Sequence, residues 1–590
     1  MSASPSRIFD LLAQAKEKYN KPILVAGKAN GKWTNYSTDR FAEIVDRLSR
    51  GLIRQGMGKG DKVALMSANR PEWNFCDFAT AQLGVALVPL YPTLSEKDLS
   101  FIISDSEAKL IFVGTAELYA KVRTALDDQG LDIPIYTLDH VDGAKHWSTL
   151  TKDGAQSEED LKPYRDAVDP DDMLTLIYTS GTTGTPKGVH LSHKNVMSNV
   201  MDCQRLLPAD FKRALSFLPL CHIFERMAVY MYFSRGLEIH YAESLDTIVA
   251  DINDVKPDGF TTVPRVLEKV YDGIVAKGKE LTGIKKSLFF WAVGLGLRFQ
   301  EPGKNGWWYN VQLGIARRLI FSRWQAALGG NIKVIISGGA ALQPRLARIF
   351  WAAGIPVLEG YGLTETSPVV AVNNLEKDGL KFGSVGKVLD SVEVKIAEDG
   401  EILTKGPNVT SGYYKNEEAT KEIFDEDGYL KTGDIGELTP DGFLRITDRK
   451  KEIFKTAGGK YIAPQALENK YMESLLIAQI MVVGENQRFP AALIVPAFDE
   501  LAKWCKHKGI AFDSRESAIK NEEIIAKYQR EIDRLGAKFG QWERVKKFVL
   551  LPKEWTIDAG ELTPKLSLKR KAIMQRHEAE IRSIYETGAE

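Results

Sequence analysis

The sequence predicts an α/β protein: a large N-terminal domain of layered α/β subdomains with a β-rich subdomain, followed by a small α+β C-terminal domain. Three observations carry this. Helix-like and strand-like segments alternate through the first three quarters of the chain. Near Asp390 the texture shifts to apolar–polar alternation around D-G turns. Beyond Thr447 a charged stretch opens a region rich in helix formers. With 590 residues the chain exceeds what one hydrophobic core supports, so at least two domains are expected.

Phe41 to Gln55 has apolar residues at helical spacing, and Lys62 to Ser67 follows as a short strand. Leu174 to Ser180, Gly259 to Pro264, Lys333 to Gly339 and Pro356 to Gly362 each read as a buried strand ending in a loop. Strands alternating with helices imply largely parallel sheets, whose ligands sit at the carboxyl ends of the strands. VEVKIAEDGEILTKGP and GELTPDGFLRITD, in contrast, read as antiparallel hairpins. The domain boundary is expected at Asp448 to Lys451, giving an N-terminal domain over 1–448 and a C-terminal domain over 449–590.

Composition narrows the function classes. Seventy-eight basic residues balance seventy-eight acidic ones, so no global field attracts nucleic acid, and any phosphate must be held by local geometry. Cys76, Cys203, Cys221 and Cys505 are widely spaced, which argues against a disulfide framework or zinc site and for a cytoplasmic setting. The N-terminus lacks signal-peptide character. The apolar run Ser287 to Phe299 is too short to span a bilayer, which takes about 20 residues. It reads as a buried helix or as a shallow membrane-docking helix.

The strongest chemical signal is TSGTTGTPKG, Thr179 to Gly188, directly after a strand. Hydroxyls of Thr179, Ser180, Thr182, Thr183 and Thr185, the amides around Gly181 and Gly184, and the Lys187 ammonium can converge on a triphosphate. It is not a Walker A loop, because Pro186 and Gly188 stand where glycine and Ser/Thr are needed.

TSGTTGTPKG resembles the phosphate loop of the adenylate-forming superfamily, the group of acyl-CoA synthetases, firefly luciferase and peptide-synthetase adenylation domains. Further motifs follow in that family's order. FLPLCHIFER resembles the motif whose histidine, here His222, lines the acyl pocket. ISGGAAL, with Gly338, Gly339 and Ala340, resembles the adenine-contacting loop. EGYGLTET resembles the adenine and magnesium motif; it contains Glu359, Gly360, Tyr361, Gly362, Thr364 and Glu365. KTGDIGE resembles the motif whose aspartate, Asp434, grips the ribose. DRKKEIFKTAGGKYIAP resembles the hinge and thioester-forming motif, with Arg449 at the ribose, Lys451 at the hinge, and Gly458 and Gly459 beside the pantetheine arm.

The resemblance implies ATP, Mg²⁺ and coenzyme A as reaction partners, Glu365 as the metal ligand, and a mobile small domain that rotates between two half-reactions. A carboxylate is a poor electrophile, and its attack on ATP brings two anions together. A hard cation bridging phosphate oxygens offsets that repulsion. His222 also reads as an ordinary packed histidine.

The tail ELTPKLSLKRKAI departs from the family pattern. Anchored on Thr563, Pro564 and Arg570, the usual lysine position holds Ser567, with Lys565 and Lys569 two residues to either side. On an extended segment all three share a face, so either lysine can stand in.

Within the superfamily the wording is closest to bacterial long-chain fatty acid–CoA ligases, which implies a long-chain fatty acid as substrate and allows peripheral contact with the inner face of a membrane. The apolar insertion between Val270 and Gly330, with Phe289, Phe290, Trp291, Trp307 and Trp308, reads as a tunnel or membrane-facing entrance, or equally as core. An acyl-AMP ligase loading a carrier protein, a ligase for aryl or branched acids, and a nucleotide-binding scaffold without catalysis are the competing readings.

Overall fold

A computed structural model describes residues 5–180, 185–244, 246–556, 559–563 and 568–586. The chain divides into two compact units. One comprises Met1–Lys395, Leu403–Lys431 and Pro440–Leu444; the other comprises Ile396–Ile402, Thr432–Thr439 and Arg445–Glu590.

Two sheets organise the first unit. In one, the strands Leu110–Val113, Lys62–Met66, Ala86–Leu90 and Met173–Ser180 lie side by side in parallel, as their uninterrupted apolar runs predict. The sheet then departs from the parallel expectation. Met173–Ser180 pairs antiparallel with Pro186–Ser192, so the phosphate-loop sequence closes a hairpin rather than opening a helix. In the other sheet Gly259–Thr262, Val334–Ser337 and Val357–Gly362 are parallel neighbours. Ile335 opposes Val357 and Ser337 opposes Glu359, so the first strand ends at Ser337 while the second runs on to Gly362. Gly338–Ala340 follow the end of the first strand, and Gly360–Gly362 are the last residues of the second, paired antiparallel with Val369–Val372; both lie at the carboxyl end of the parallel strands, where ligands of such sheets bind.

The predicted helix at Phe41 to Gln55 spans Thr38–Arg54, with Ser37 capping its N-terminus by accepting from the Arg40 amide. The apolar run in the insertion forms the helix Gly283–Gly296, and it fits neither sequence reading alone. Phe289, Ala292, Val293 and Leu295 are buried, while Ile284 and Phe290 are exposed, so the helix is one-sided. Of the insertion's aromatics Phe289 is core, whereas Trp307 and Trp308 lie outside it. No helix among the described residues is long and apolar enough to cross a membrane.

The second unit carries a three-stranded sheet, Ile477–Val483, Ala491–Pro496 and Lys547–Leu550, with Pro464–Tyr471 and Glu522–Gly536 as helices. Tyr471 and Tyr528 are wholly buried in its core, and the Tyr528 hydroxyl donates to the Leu476 carbonyl at 2.6 Å. Its α+β character matches the expectation.

Candidate active site

Thr179 and Lys187 are register partners on the hairpin of the first unit, as are Ser180 and Pro186. This holds both ends of the phosphate loop together at the mouth of a buried strand. Gly181, Thr182, Thr183 and Gly184 lie outside the described residues. The strand's base is fixed by a fully buried cluster. Arg226 pairs with Asp77, receives support from the Tyr230 hydroxyl at 2.7 Å, and donates to Thr175 Oγ1 at 2.7 Å. Thr175 sits on the phosphate-loop strand, so a buried guanidinium ties that strand to the helix Ile223–Ser234. Sequence reasoning missed this cluster. Its one signal was charged Glu225–Arg226 inside an otherwise apolar stretch.

His222 caps that same helix. Its Nδ1 accepts from the Phe224 amide at 3.1 Å, which sets the ring's orientation. The residue thus serves the helix terminus whatever else it does. Beside it Glu225 is wholly buried and accepts from the Thr261 hydroxyl; burial pushes its carboxyl up to about 7.

On the adenine side, Glu359 holds the two motif loops together by accepting from the Leu342 amide at 2.8 Å. Burial pushes its carboxyl up to about 8, with the Leu342 N–H pulling partly against the rise. Glu359 therefore faces the neighbouring loop. Gly338 is packed so that a Cβ would lie 3.2 Å from the Phe224 ring, while Gly339 and Ala340 are exposed. Tyr361 is half-buried and flanked by Gly360 and Gly362. At Gly362 an added Cβ would fall 1.7 Å from the Pro368 carbonyl oxygen, so no other residue fits.

Glu365 is the centre of a connected set. Tyr413 donates its hydroxyl to Glu365 Oε1 at 2.9 Å, and the Thr410 amide donates to the Glu365 carbonyl at 2.8 Å. The Tyr413 phenol is held well above its usual range, first by burial and then by the Glu365 carboxylate. Lys187 Nζ lies 5.2 Å from the centre of the Tyr413 ring. The segment Thr410–Tyr413 is pinned to the hairpin by His190 N donating to the Gly412 carbonyl and Tyr414 N to the Gly188 carbonyl. One cation, one carboxylate and one tyrosine thus meet beside the phosphate loop, with Thr364 buried next to them. Tyr413 was not foreseen. The hydroxyl-rich TSGYY run (Thr410 to Tyr414) was the available signal.

The second unit holds the remaining site residues. Asp434 is buried, and Arg449 Nε stands 3.5 Å from its Oδ1, so the two residues assigned to ribose are neighbours. Burial pushes the Asp448 carboxyl up to about 6, against its acceptance of the Arg449 and Gln465 amides. Lys451 is exposed. Gly458 and Gly459 form the turn of a hairpin between Phe454–Lys455 and Tyr461–Ile462. A Cβ on Gly458 would meet nothing nearer than 4.0 Å, and Gly459 has φ +78°.

In the tail, Arg570 pairs with Glu468 at 2.7 Å. Lys569 is exposed, its amide donating to the Glu561 carbonyl at 2.8 Å. Lys565 and Ser567 lie outside the described residues. Leu562 and Leu568 are antiparallel partners.

Comparison with known proteins accords with this arrangement. The family model for the AMP-binding enzyme matches residues 11–414, and that for the AMP-binding enzyme C-terminal domain matches residues 452–589. Long-chain-fatty-acid–CoA ligase FadD15 of Mycobacterium tuberculosis is 34% identical, covering 94% of this chain and 93% of that protein. Human long-chain-fatty-acid–CoA ligase 1 is 31% identical over 96% of this chain and 85% of its own length. Among solved structures, the adenylation domain of a Mycobacterium chelonae carboxylate reductase superposes with a TM-score of 0.76 at 22% identity. It covers 99% of this chain and 92% of that one, a likeness of fold.

Proposed function

Because the chain belongs to the AMP-binding enzyme family, we propose that it is an ATP-dependent long-chain fatty acid–CoA ligase. The observation that carries the ATP chemistry is the meeting of Lys187, Tyr413 and Glu365 beside the phosphate-loop hairpin. The acid and the thiol come from the relatives, whose names specify long-chain fatty acids and CoA.

In the first half-reaction a carboxylate oxygen of the fatty acid attacks the α-phosphorus of ATP. The bond from that phosphorus to the bridging oxygen breaks, and pyrophosphate leaves acyl-AMP behind. In the second, the coenzyme A thiol loses its proton, attacks the acyl carbonyl carbon, and AMP departs. Thr179, Ser180, the Gly181–Gly184 loop and Lys187 receive the phosphates. Gly338, Gly339, Ala340, Gly360, Tyr361 and Gly362 border the adenine, with Glu359 bracing their loops. Asp434 and Arg449 take the ribose, His222 stands at the acyl carboxylate, and Gly458 and Gly459 admit the pantetheine arm.

Glu365, with Thr364 beside it, suits Mg²⁺, which takes one or two protein carboxylates and completes its shell with phosphate oxygens and water. The ion, when bound, neutralises phosphate charge; Tyr413 holds the Glu365 carboxylate in place for it. The domain boundary falls at 448/449, with Lys451 as the hinge. A tail lysine, Lys565 in preference to Lys569, offsets charge between carboxylate and α-phosphate. Lys565→Ala then loses acyl-AMP formation but still converts supplied acyl-AMP and CoA to thioester. Normal adenylation in both single lysine variants discards a tail lysine. The protein works in the cytoplasm, in peripheral contact with a membrane.

The test is acid-dependent ATP–pyrophosphate exchange across acids of graded length, followed by detection of the CoA thioester. Exchange and thioester should both be greatest with long-chain acids. Exchange without CoA consumption identifies a carrier-loading ligase; preference for aryl acids overturns the substrate; no exchange with any acid identifies a scaffold.

A further inference from the structure

The parallel sheet that carries Gly338–Ala340 at its carboxyl end holds a cavity of about 610 Å³ at its amino end. Arg213, Asp258 and Lys333 line it, each at or one residue before the start of a strand: Arg213–Ser216, Gly259–Thr262 and Val334–Ser337. These strands are parallel neighbours. Four residues of strand, about 13 Å at the usual rise, separate the cavity from the motif loops, so the two are distinct sites. The volume lies within the range of small-molecule sites, about 300–1,000 Å³. Of the described lining residues Ile332 alone has an apolar side chain, so the cavity suits a polar occupant and not an acyl chain.

The charged groups of the lining divide into paired and unpaired. Asp258 is buried; its Oδ2 accepts from the Lys212 and Arg213 amides at 2.7 and 2.9 Å, and its Oδ1 stands 3.1 Å from Lys333 Nζ. Lys333 also holds Asp210 at 2.8 Å, and Arg213 is taken by Glu238 at 2.9 Å. Both lining carboxylates thus face one ammonium, which stands where a metal cation would have to sit. Lys212 and Lys256 are exposed at the same cavity, and among the described residues neither ammonium forms an ion pair. Lys256 ends the helix Ile248–Val255 in the left-handed region, at φ +48°, and its carbonyl accepts from the Asn331 side chain at 3.2 Å. A lysine held where glycine is the usual residue points to a use for its side chain. The Asn331 and Gln325 amide groups donate to the Lys256 and Ala353 carbonyls, which leaves their side-chain oxygens to accept from hydroxyls of a ligand.

We propose that this cavity binds a phosphate dianion, free or as the monoester of a small hydroxylated molecule, at Lys212 and Lys256. Two unpaired ammonium groups match the charge of one phosphate dianion, and lysine holds phosphate as a point charge. A monocarboxylate would leave one of the two uncompensated. The site lies outside the ligase reading and does not depend on it.

The test is isothermal titration of the full chain with inorganic phosphate and, separately, with glycerol 3-phosphate, in chloride buffer without Mg²⁺, ATP or CoA. Because the Lys187 hairpin also receives phosphates, each titration is repeated on Lys187→Ala. That variant should still bind phosphate at one saturable site. Adding Lys212→Gln/Lys256→Gln to it should weaken the site by about tenfold or more without moving the melting temperature, and Lys212→Arg/Lys256→Arg should retain it. Tighter binding of glycerol 3-phosphate than of phosphate assigns an ester as the occupant; equal affinities assign free phosphate. Absence of binding of either probe in Lys187→Ala overturns the proposal, as does affinity that the glutamine pair leaves unchanged. Equal weakening by the glutamine and arginine pairs overturns it too, since charge would then not be what the site reads. Because binding is measured without turnover, a failed ligase reading leaves this result standing, and the reverse holds.

Discussion

The motif-bearing segments of the first unit and the Asp448–Lys460 segment of the second carry comparable densities of motif residues but are built in opposite ways. The loops of the first unit are interlocked. Glu359 clasps Leu342, Tyr413 clasps Glu365, Gly362 fits against Pro368, and a buried guanidinium anchors the hairpin strand. The second segment is open: Lys451, Gly458 and Gly459 are exposed, and the space around Gly458 is clear. A preorganised cradle suits stabilisation of charge building at a phosphate. Exposed residues with room around them suit steps that need the backbone to turn or a long thiol arm to approach.

Breaking the anchor should have the largest effect. Arg226→Met leaves Asp77 buried without its partner, which costs about 3–5 kcal/mol of stability by chemical denaturation. A loss below about 1 kcal/mol would show that the cluster does not hold the hairpin. Lys187→Ala should fold normally yet lose pyrophosphate exchange by about 10²-fold or more. Exchange at the wild-type rate would move phosphate recognition away from the hairpin.

A paired glycine experiment sharpens the contrast. Gly362→Ala forces a Cβ into a carbonyl oxygen and should lower the melting temperature and abolish exchange together. Gly458→Ala meets no atom closer than 4.0 Å, so melting and exchange should be unchanged while thioester formation falls. Equal effects at the two positions would erase the distinction between cradle and open segment.

The most gradual effect is a pH dependence. The Glu359 carboxyl titrates near 8 in the folded protein, above its unfolded value, so its contribution is complete at acidic pH. Stability should then fall as pH rises from about 4.5 towards 8, by at most about 1.4 kcal/mol per pH unit, and level off above. Glu359→Gln, which keeps an acceptor for the Leu342 amide, should gain on the wild type across that window in thermal melts. Parallel curves would show that Glu359 is ionised in the folded state.

Local signals were legible in the sequence. The 3.6-residue period gave the helix at Phe41 within a few residues of its ends, and unbroken apolar runs gave the parallel strands. The motif residues fell at strand ends because those loops follow the strands directly in sequence. What the sequence hid were partnerships across long separations. Asp77 and Arg226 are 149 residues apart, and Glu365 and Tyr413 are 48 apart, so no periodicity connects them. The one-sided helix at Gly283 was hidden for another reason. Both of its faces carry apolar residues, and only packing against Ile349 and its neighbours separates inside from outside. The hairpin at Thr179 was hidden because a strand followed by glycine and threonine reads alike whether a helix or a returning strand comes next.

The most direct test of the central claim, that adenylation and thioester formation depend on separate residue sets, measures both half-reactions on Glu365→Ala and Lys451→Pro. Pyrophosphate exchange reports the first step, and CoA capture of supplied acyl-AMP reports the second. Proline fixes φ near −65° and so hinders a backbone rotation at Lys451. The account predicts that Glu365→Ala loses exchange and keeps capture, whereas Lys451→Pro keeps exchange and loses capture. Parallel loss of both steps in either folded variant would contradict it.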